Sequence, residues 1–158
     1  MSFDPASFRS VLGRFATGVT VITTRDSAGF DHGMTVSAFA SLSLEPPLVL
    51  ICIERSCALH PFLMDTKDFV VNILSVGQES LSRRFAEKIE NRFDGVGFSR
   101  GITGCAVLND VLASLECRRT DHYVAGDHTI FTGEVIAAMA RAERPLLYYR
   151  GGYAQLER

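Results

Sequence analysis

The chain has 158 residues, 47% of them apolar, and its 16 basic and 18 acidic side chains leave a net charge of −2. That balance excludes wholesale disorder and provides chain enough for a substantial core, expected as one domain over residues 1–158. No basic run marks a nucleic-acid surface, and the longest apolar run, Leu48 to Ile53, is far too short to cross a bilayer. Met1-Ser2-Phe3-Asp4-Pro5 lacks the basic and apolar regions of a signal peptide, so a cytoplasmic protein is expected. Cys52, Cys57, Cys105 and Cys117 form no Cys-x-x-Cys pair, and the histidines lack zinc-site spacing. Free thiols and no metal centre are expected.

In chain order, a helix is expected from about Pro5 to Thr17, with Phe8, Val11, Leu12 and Phe15 recurring on one face. Val19 to Thr24 is rich in β-branched residues and reads as a strand, followed by a polar turn from Arg25 to Gly33. Leu48 to Ile53 and Phe69 to Leu74 are further strands, the first continuously apolar and so expected to be covered on both faces. Short helices are expected over Ala58–Asp65 and Glu79–Glu87. Residues 90–108 carry four glycines and read as an irregular segment with short strands.

From Val111 the pattern becomes antiparallel. Ala113, Leu115 and Cys117 alternate with Ser114, Glu116 and Arg118, and a turn over Tyr123–His128 returns the chain into Thr129–Ala138. Leu146–Tyr149 adds a last strand. Many short strands and few helices predict a mostly β architecture, a closed or nearly closed barrel that hides its edges. Gly95 to Gly101 has the wrong spacing for a dinucleotide fingerprint, and no apolar helix follows it.

Three polar features interrupt this apolar frame. Thr35, Ser37, Ser41 and Ser43 share one parity, so an extended strand would present their hydroxyls on one face and turn Val36, Ala38, Leu42 and Leu44 to the core. Uncharged hydroxyls and backbone N–H groups can hold a phosphate or ring carbonyls, although a half-solvated strand looks the same. Asn72 breaks the Phe69–Leu74 strand, and a buried amide needs partners, either backbone or ligand. Gly126-Asp127-His128 forms a polar turn that opens directly into an apolar strand.

Taken together, Phe15-Ala16-Thr17-Gly18-Val19-Thr20, Gly33 to Leu50 with its Pro46-Pro47 pair, Arg55-Ser56-Cys57, Phe69 to Leu74, Arg92-Phe93-Asp94-Gly95 and Gly126 to Val135 resemble the short flavin reductases. These are the NAD(P)H-dependent partners of two-component flavin monooxygenases. The resemblance implies an FMN-binding split β-barrel with Greek-key character and short flanking helices, paired as a homodimer with flavin near the subunit interface. It implies FMN or FAD as flavin, NADH or NADPH as hydride donor, and a flavin-dependent monooxygenase as acceptor of the reduced flavin. Contacts to the flavin or nicotinamide cofactor fall to Thr35, Val36, Ser37, Ser41, Ser43, Arg55, Ser56, Asn72, Arg92, Asp127 and His128.

Within that set, Ser56 would meet the phosphate or ribityl chain with Arg55 adding charge, and a solvent-facing turn is the plain alternative. Arg92 would attract a nicotinamide cofactor phosphate or form a surface ion pair. His128, oriented by Asp127, is expected on the nicotinamide side. Hydride passes directly from nicotinamide C4 to flavin N5, so His128 is expected to position rather than to move a proton. A flavin-binding redox sensor, or an oxidase or reductase of another small substrate with retained FMN, could use the same residues. Residues 90–108 and the later apolar strands are the expected dimer contacts.

Overall fold

The computed structural model describes residues 3–157. Met1, Ser2 and Arg158, which fall within the expected 1–158 domain, lie outside the described residues. Helix α1 (Pro5–Leu12) is started by Asp4, whose carboxylate accepts from Ser7 N at 2.9 Å, with Pro5 in the first turn. It stops well short of Thr17, because Thr17–Gly18 (β1) is taken up by pairing with Leu147 and Tyr148. The expected apolar face exists but is not covered: Phe8, Val11, Leu12 and Phe15 are all exposed.

The main sheet is built from β2 (Thr20–Arg25), β3 (Asp31–Val36), β4 (Phe39–Ser43), β5 (Leu48–Glu54), β6 (Asp68–Ile73), β9 (Ala113–Ala125) and β10 (His128–Ala140). Its seven strands run in the order β3-β2-β6-β9-β10-β5-β4, every ladder antiparallel. Helix α2 (His60–Asp65) lies between β5 and β6, and α3 (Glu79–Ala86) follows β6. Strands β7 (Phe98–Arg100) and β8 (Ala106–Leu108) pair with each other, while β11 (Leu147–Tyr149) and β12 (Gly152–Ala154) join β1. The architecture is mostly β with short flanking helices.

Among the described residues no ladder joins the edge strands β3 and β4, so the expected closure is not made by hydrogen bonds. Yet only Ser37 and Ala38 separate these two strands in the chain. Val36 pairs with Thr20 of β2, and the Ala38 carbonyl accepts from Cys52 N of β5 at 3.0 Å. A flat sheet of this width would hold its edges about 29 Å apart at ~4.8 Å per strand. Three peptide units reach only about 11 Å. The sheet is therefore curled, with its two edges brought close where this link passes.

The curl divides the apolar side chains between two clusters. One gathers Ile22, Ile51, Ile53, Phe69, Val71 and Phe131 with Leu59 and Leu63 beside α2. The other gathers Val19, Val21, Leu74, Phe85, Leu108 and Leu146 beneath α3. In β5 only Val49, Ile51 and Ile53 are buried, while Leu48, Leu50 and Cys52 are half-buried, so that strand is covered less evenly than its composition predicts. Cys117 lies inside the core, and burial pushes its thiol up to about 12, which leaves it protonated and inert.

The hairpin between β9 and β10 is tighter than the expected Tyr123–His128 turn. Ala125 pairs with His128, leaving Gly126-Asp127 as a two-residue loop. Gly126 has φ +61°, a conformation at the first loop position that favours glycine. This loop fixes where His128 enters the sheet.

Candidate functional site

Gly33 is the structural hinge of the site. A Cβ there would come within 2.8 Å of the Phe85 ring and 3.2 Å of Phe93, so only glycine lets α3 and the segment after it lie against β3. The Gly33 carbonyl also accepts from Arg92 Nη1 at 2.7 Å, while Arg92 Nε donates to the Glu87 carbonyl at 2.9 Å. Arg84 completes the arrangement from α3, donating to the carbonyls of Arg92, Asn91 and Asp94 at 2.6–2.8 Å. Among the described residues neither guanidinium has a carboxylate partner. Carbonyl dipoles hold both in place without cancelling their charge, which is a setting for an anion.

Between this segment, the start of β3, the turn after β5 and α2 opens a cavity of about 750 Å³. Its wall includes Ser56, Cys57, Lys88, Arg92 and Phe93 with His32, Phe62 and Glu54. That volume and mixed lining suit a cofactor-sized ligand. Of the residues singled out from sequence, Ser56 and Arg92 meet here. Among the described residues Arg92 makes no ion pair, unlike the surface alternative.

A second group adjoins the first through the backbone. Arg55 N donates to the Asp127 carbonyl at 2.9 Å, which ties the turn after β5 to the β9–β10 hairpin. Ser56 Oγ donates to Glu54 Oε1 at 2.8 Å, and Glu54 lies opposite His128 in the ladder. His128 Nδ1 is 2.7 Å from Asp127 Oδ1, and the bond from His128 holds the Asp127 carboxyl below the usual carboxylate range. With Nδ1–H so engaged, a neutral His128 keeps Nε2 as an acceptor, and its side chain is 43% exposed. Beneath it, His60 Nε2 and Thr129 Oγ1 are 2.8 Å apart, and Phe131 is buried between the His60 and His122 rings.

The hydroxyl row from Thr35 to Ser43 is not one face of one strand. It is cut at Ser37–Ala38, where Phe39 N donates back to the Ser37 carbonyl at 3.0 Å, and again by a bulge between Ser41 and Ser43. Thr35 Oγ1 donates to the Ser82 carbonyl of α3 at 2.6 Å. Val36 is buried in the core, as expected, but Ala38, Leu42 and Leu44 are exposed, because β4 is an edge strand with nothing packed over that end. Ser37 and Ser41 are exposed and Ser43 is half-buried, and none of the three lines the cavity.

Asn72 takes protein partners, the first of the two alternatives that its sequence position left open. It is fully buried, its amide donates to the Val21 carbonyl at 3.0 Å and Thr23 Oγ1 at 3.2 Å, and Oδ1 accepts from Leu108 N at 2.9 Å. All three of these bonds hold strands together, and the buried side chain does not line the cavity. His32, Phe62 and Lys88 are cavity residues that sequence reasoning passed over, lying in a turn, in a short helix and just after one. The one available signal was that His32 immediately precedes Gly33, where the family-like segment begins.

Residues 12–157 match the family model described as "Flavin reductase like domain". A "Probable flavin reductase" of Rhizobium meliloti (strain 1021) is 42% identical over 151 residues, covering 96% of this chain and 49% of that protein. "Stachydrine N-demethylase reductase subunit Stc3" of the same organism is 40% identical over 151 residues, covering 96% and 66%. The chain thus spans about half the length of the first relative and about two thirds of the second. The solved structure of Streptomyces globisporus C-1027 NADH:FAD oxidoreductase SgcE6 in complex with NAD and FAD fragments superposes with a TM-score of 0.92. It is 38% identical, and the match covers 99% of this chain and 96% of that one. The residue pattern, the curled antiparallel sheet and these matches agree, and the chain belongs to the flavin reductase-like domain family.

Proposed function

We propose that this chain is an NAD(P)H:flavin oxidoreductase that reduces FMN or FAD and passes the reduced flavin to a separate flavin-dependent monooxygenase. The observation that carries the reading is the junction of an anion-ready cavity, with Ser56 and unpaired Arg92, to the His128 turn through Arg55 N and the Asp127 carbonyl. The family match over residues 12–157 supports the same reading. Flavin supplies the hydride acceptor and nicotinamide the hydride. The chain's own residues supply position: Arg92 and Ser56 hold phosphate or ribityl oxygens, and Arg55 adds charge. Ser37, Ser41 and Ser43 keep hydroxyls available at the sheet edge, where Thr35 and Val36 shape the backbone. His128, fixed by Asp127, offers Nε2 to the nicotinamide carboxamide. Nothing in this scheme requires His128 to take a proton in the reaction.

The working unit is a single flavin reductase-like domain, its curled sheet a split barrel, acting as a cytoplasmic homodimer. Exposed Phe8 and Val11 on α1, Phe15 just after it, Leu42 on β4 and Leu44 just beyond it support pairing. Ile102, Tyr123, Val124 and Met139 add exposed apolar side chains in the segments first expected to make the contact. Among the described residues no helix is long and apolar enough to cross a membrane. Sedimentation across a wide concentration range tests the pairing: a dimer is expected, and a monomer throughout contradicts it. For the activity, oxidation of NADH or NADPH is expected to depend on added free flavin. Saturating flavin without turnover by either nicotinamide contradicts the assignment.

A further inference from the structure

Helix α2 has a second face, packed towards the β9–β10 hairpin, and a staple at each end holds it there. At the N-terminal end His60, which does not line the cavity, has Nε2 2.8 Å from Thr129 Oγ1 on β10. At the C-terminal end Arg119 of β9 donates from Nη2 to the Met64 carbonyl and from Nε to that of Thr66, both at 3.1 Å. Phe131 lies edge-on to the His60 ring, 5.7 Å between centroids. Thr129 directly follows His128, so α2 grips the strand one residue from the turn on the nicotinamide side.

Thr129 is fully buried, and among the described residues its hydroxyl has one partner, His60 Nε2. That hydroxyl is satisfied when a neutral His60 carries its proton on Nδ1 and accepts at Nε2. A protonated His60 has to donate from Nε2, which leaves the Thr129 O–H with no acceptor in the core. The added charge is unfavourable as well. Burial above all, then Arg55 and His122, hold His60 below the usual histidine range.

The groups around His60 come from three elements. The turn after β5 brings Arg55 and the Cys57 carbonyl, which accepts from His60 N at 3.3 Å. Strand β9 brings His122, whose Nδ1 is 3.3 Å from Arg119 Nη1, and β10 brings Thr129 and Phe131. On α2 itself Asp65 stands at the far end, and among the described residues no carboxylate pairs with His60. Arg55 is also the residue whose N–H reaches the Asp127 carbonyl, and Asp127 in turn fixes His128 Nδ1 at 2.7 Å. A charge on His60 therefore repels the turn that holds the His128 loop and loosens the strand that leaves it.

We infer that His60 is a positioning residue for hydride transfer: neutral, it clamps α2 to β10 and fixes the His128 turn, and protonated, it releases that turn. Acid then switches off hydride transfer while leaving flavin binding in place. The inference rests on the oxidoreductase reading, which supplies the reaction that the clamp controls. His60 touches neither cofactor in this scheme and acts through Thr129 and the Arg55–Asp127 bond.

Anaerobic stopped-flow reduction of FMN or FAD by NADH or NADPH, from about pH 8 to about pH 5 with a flavin titration at each pH, tests it. The wild-type rate is expected to fall below about pH 6.5, by up to about 10-fold per pH unit, while flavin affinity changes by less than about 2-fold. His60→Gln keeps a side-chain carbonyl for the Thr129 hydroxyl and has no proton to take up, so its rate is expected to stay level across that range. Thr129→Val removes the hydroxyl and is expected to slow reduction about 2- to 10-fold at neutral pH, and Thr129→Ser, which keeps it, to restore the rate. An acid limb in His60→Gln equal to that of wild type overturns the inference, as does a wild-type rate level with pH or a flavin affinity that falls in step with the rate. If His60→Gln loses the circular dichroism spectrum of the fold, the Thr129 pair decides, and equal rates in its two variants overturn the inference. A chain that reduces flavin with an acid limb indifferent to His60 overturns only this inference. One that reduces no flavin at any pH overturns the oxidoreductase reading and this inference with it.

Discussion

His128, where a polar turn meets an apolar strand, and Asn72, inside one, both stand out in the sequence as polar residues, and the structure separates them. His128 sits at a hairpin exit, partly exposed, with Nδ1 engaged by Asp127 and Nε2 available. His128→Ala is expected to slow anaerobic hydride transfer by about 5- to 150-fold, the worth of one positioning hydrogen bond, while oxidised-flavin affinity changes far less. Stopped-flow reduction beside a flavin titration measures both, and unchanged hydride transfer would remove His128 from the mechanism. Asn72 has the opposite profile. Asn72→Ala strands Leu108 N and the Val21 carbonyl in the core and is expected to cost about 2–4 kcal/mol in urea unfolding. The folded fraction is expected to bind flavin as wild type does; a lost flavin affinity with unchanged stability would restore Asn72 to the site. Sequence showed that Asn72 was anomalous but not which partners satisfied it, because those partners lie 36 to 51 residues away.

At the scale of elements, the hydroxyl row illustrates what periodicity misses. Parity from Thr35 to Ser43 holds only if one strand runs through, and here the chain leaves one edge of the sheet and joins the other between Ser37 and Ala38. Nothing local announces that crossing; it is set by Val36 pairing with β2 and Ala38 bonding to β5. Helix α2 was legible as a helix, but its role as a strut was not. Its His60 is partly withdrawn from water against Thr129, so burial first, then the nearby Arg55 charge, lowers its pKa from 6.5. A histidine depressed in the fold binds protons more readily when unfolded, so its stabilising contribution is present above about pH 6.5 and is lost as pH falls towards the folded value. Urea midpoints measured from about pH 7 down to about pH 5 are expected to fall with acidity, and His60→Gln to flatten that slope. An identical slope in the variant would show that His60 does not titrate with unfolding.

For the whole molecule, the mostly β architecture and the order of strands and helices were readable because apolar alternation and turn residues report on local backbone. The curl and the cavity were not. The cavity wall is drawn from residues 31–34, 54–62 and 86–93, joined by Arg92 reaching the Gly33 carbonyl across 59 positions. The exposed apolar face of α1 shows the same limit from the other side: a helical stripe says that a face wants cover, not whether this chain supplies it. The central claim remains chemical, namely that the junction of cavity and His128 turn brings nicotinamide and flavin together. The most direct test is rapid mixing, without oxygen, of the protein and oxidised FMN or FAD against NADH or NADPH, following loss of the flavin's visible absorbance. The account predicts full bleaching by at least one nicotinamide, stoichiometric with nicotinamide oxidised and far faster than without protein. Flavin that binds yet keeps its colour with both nicotinamides would contradict it.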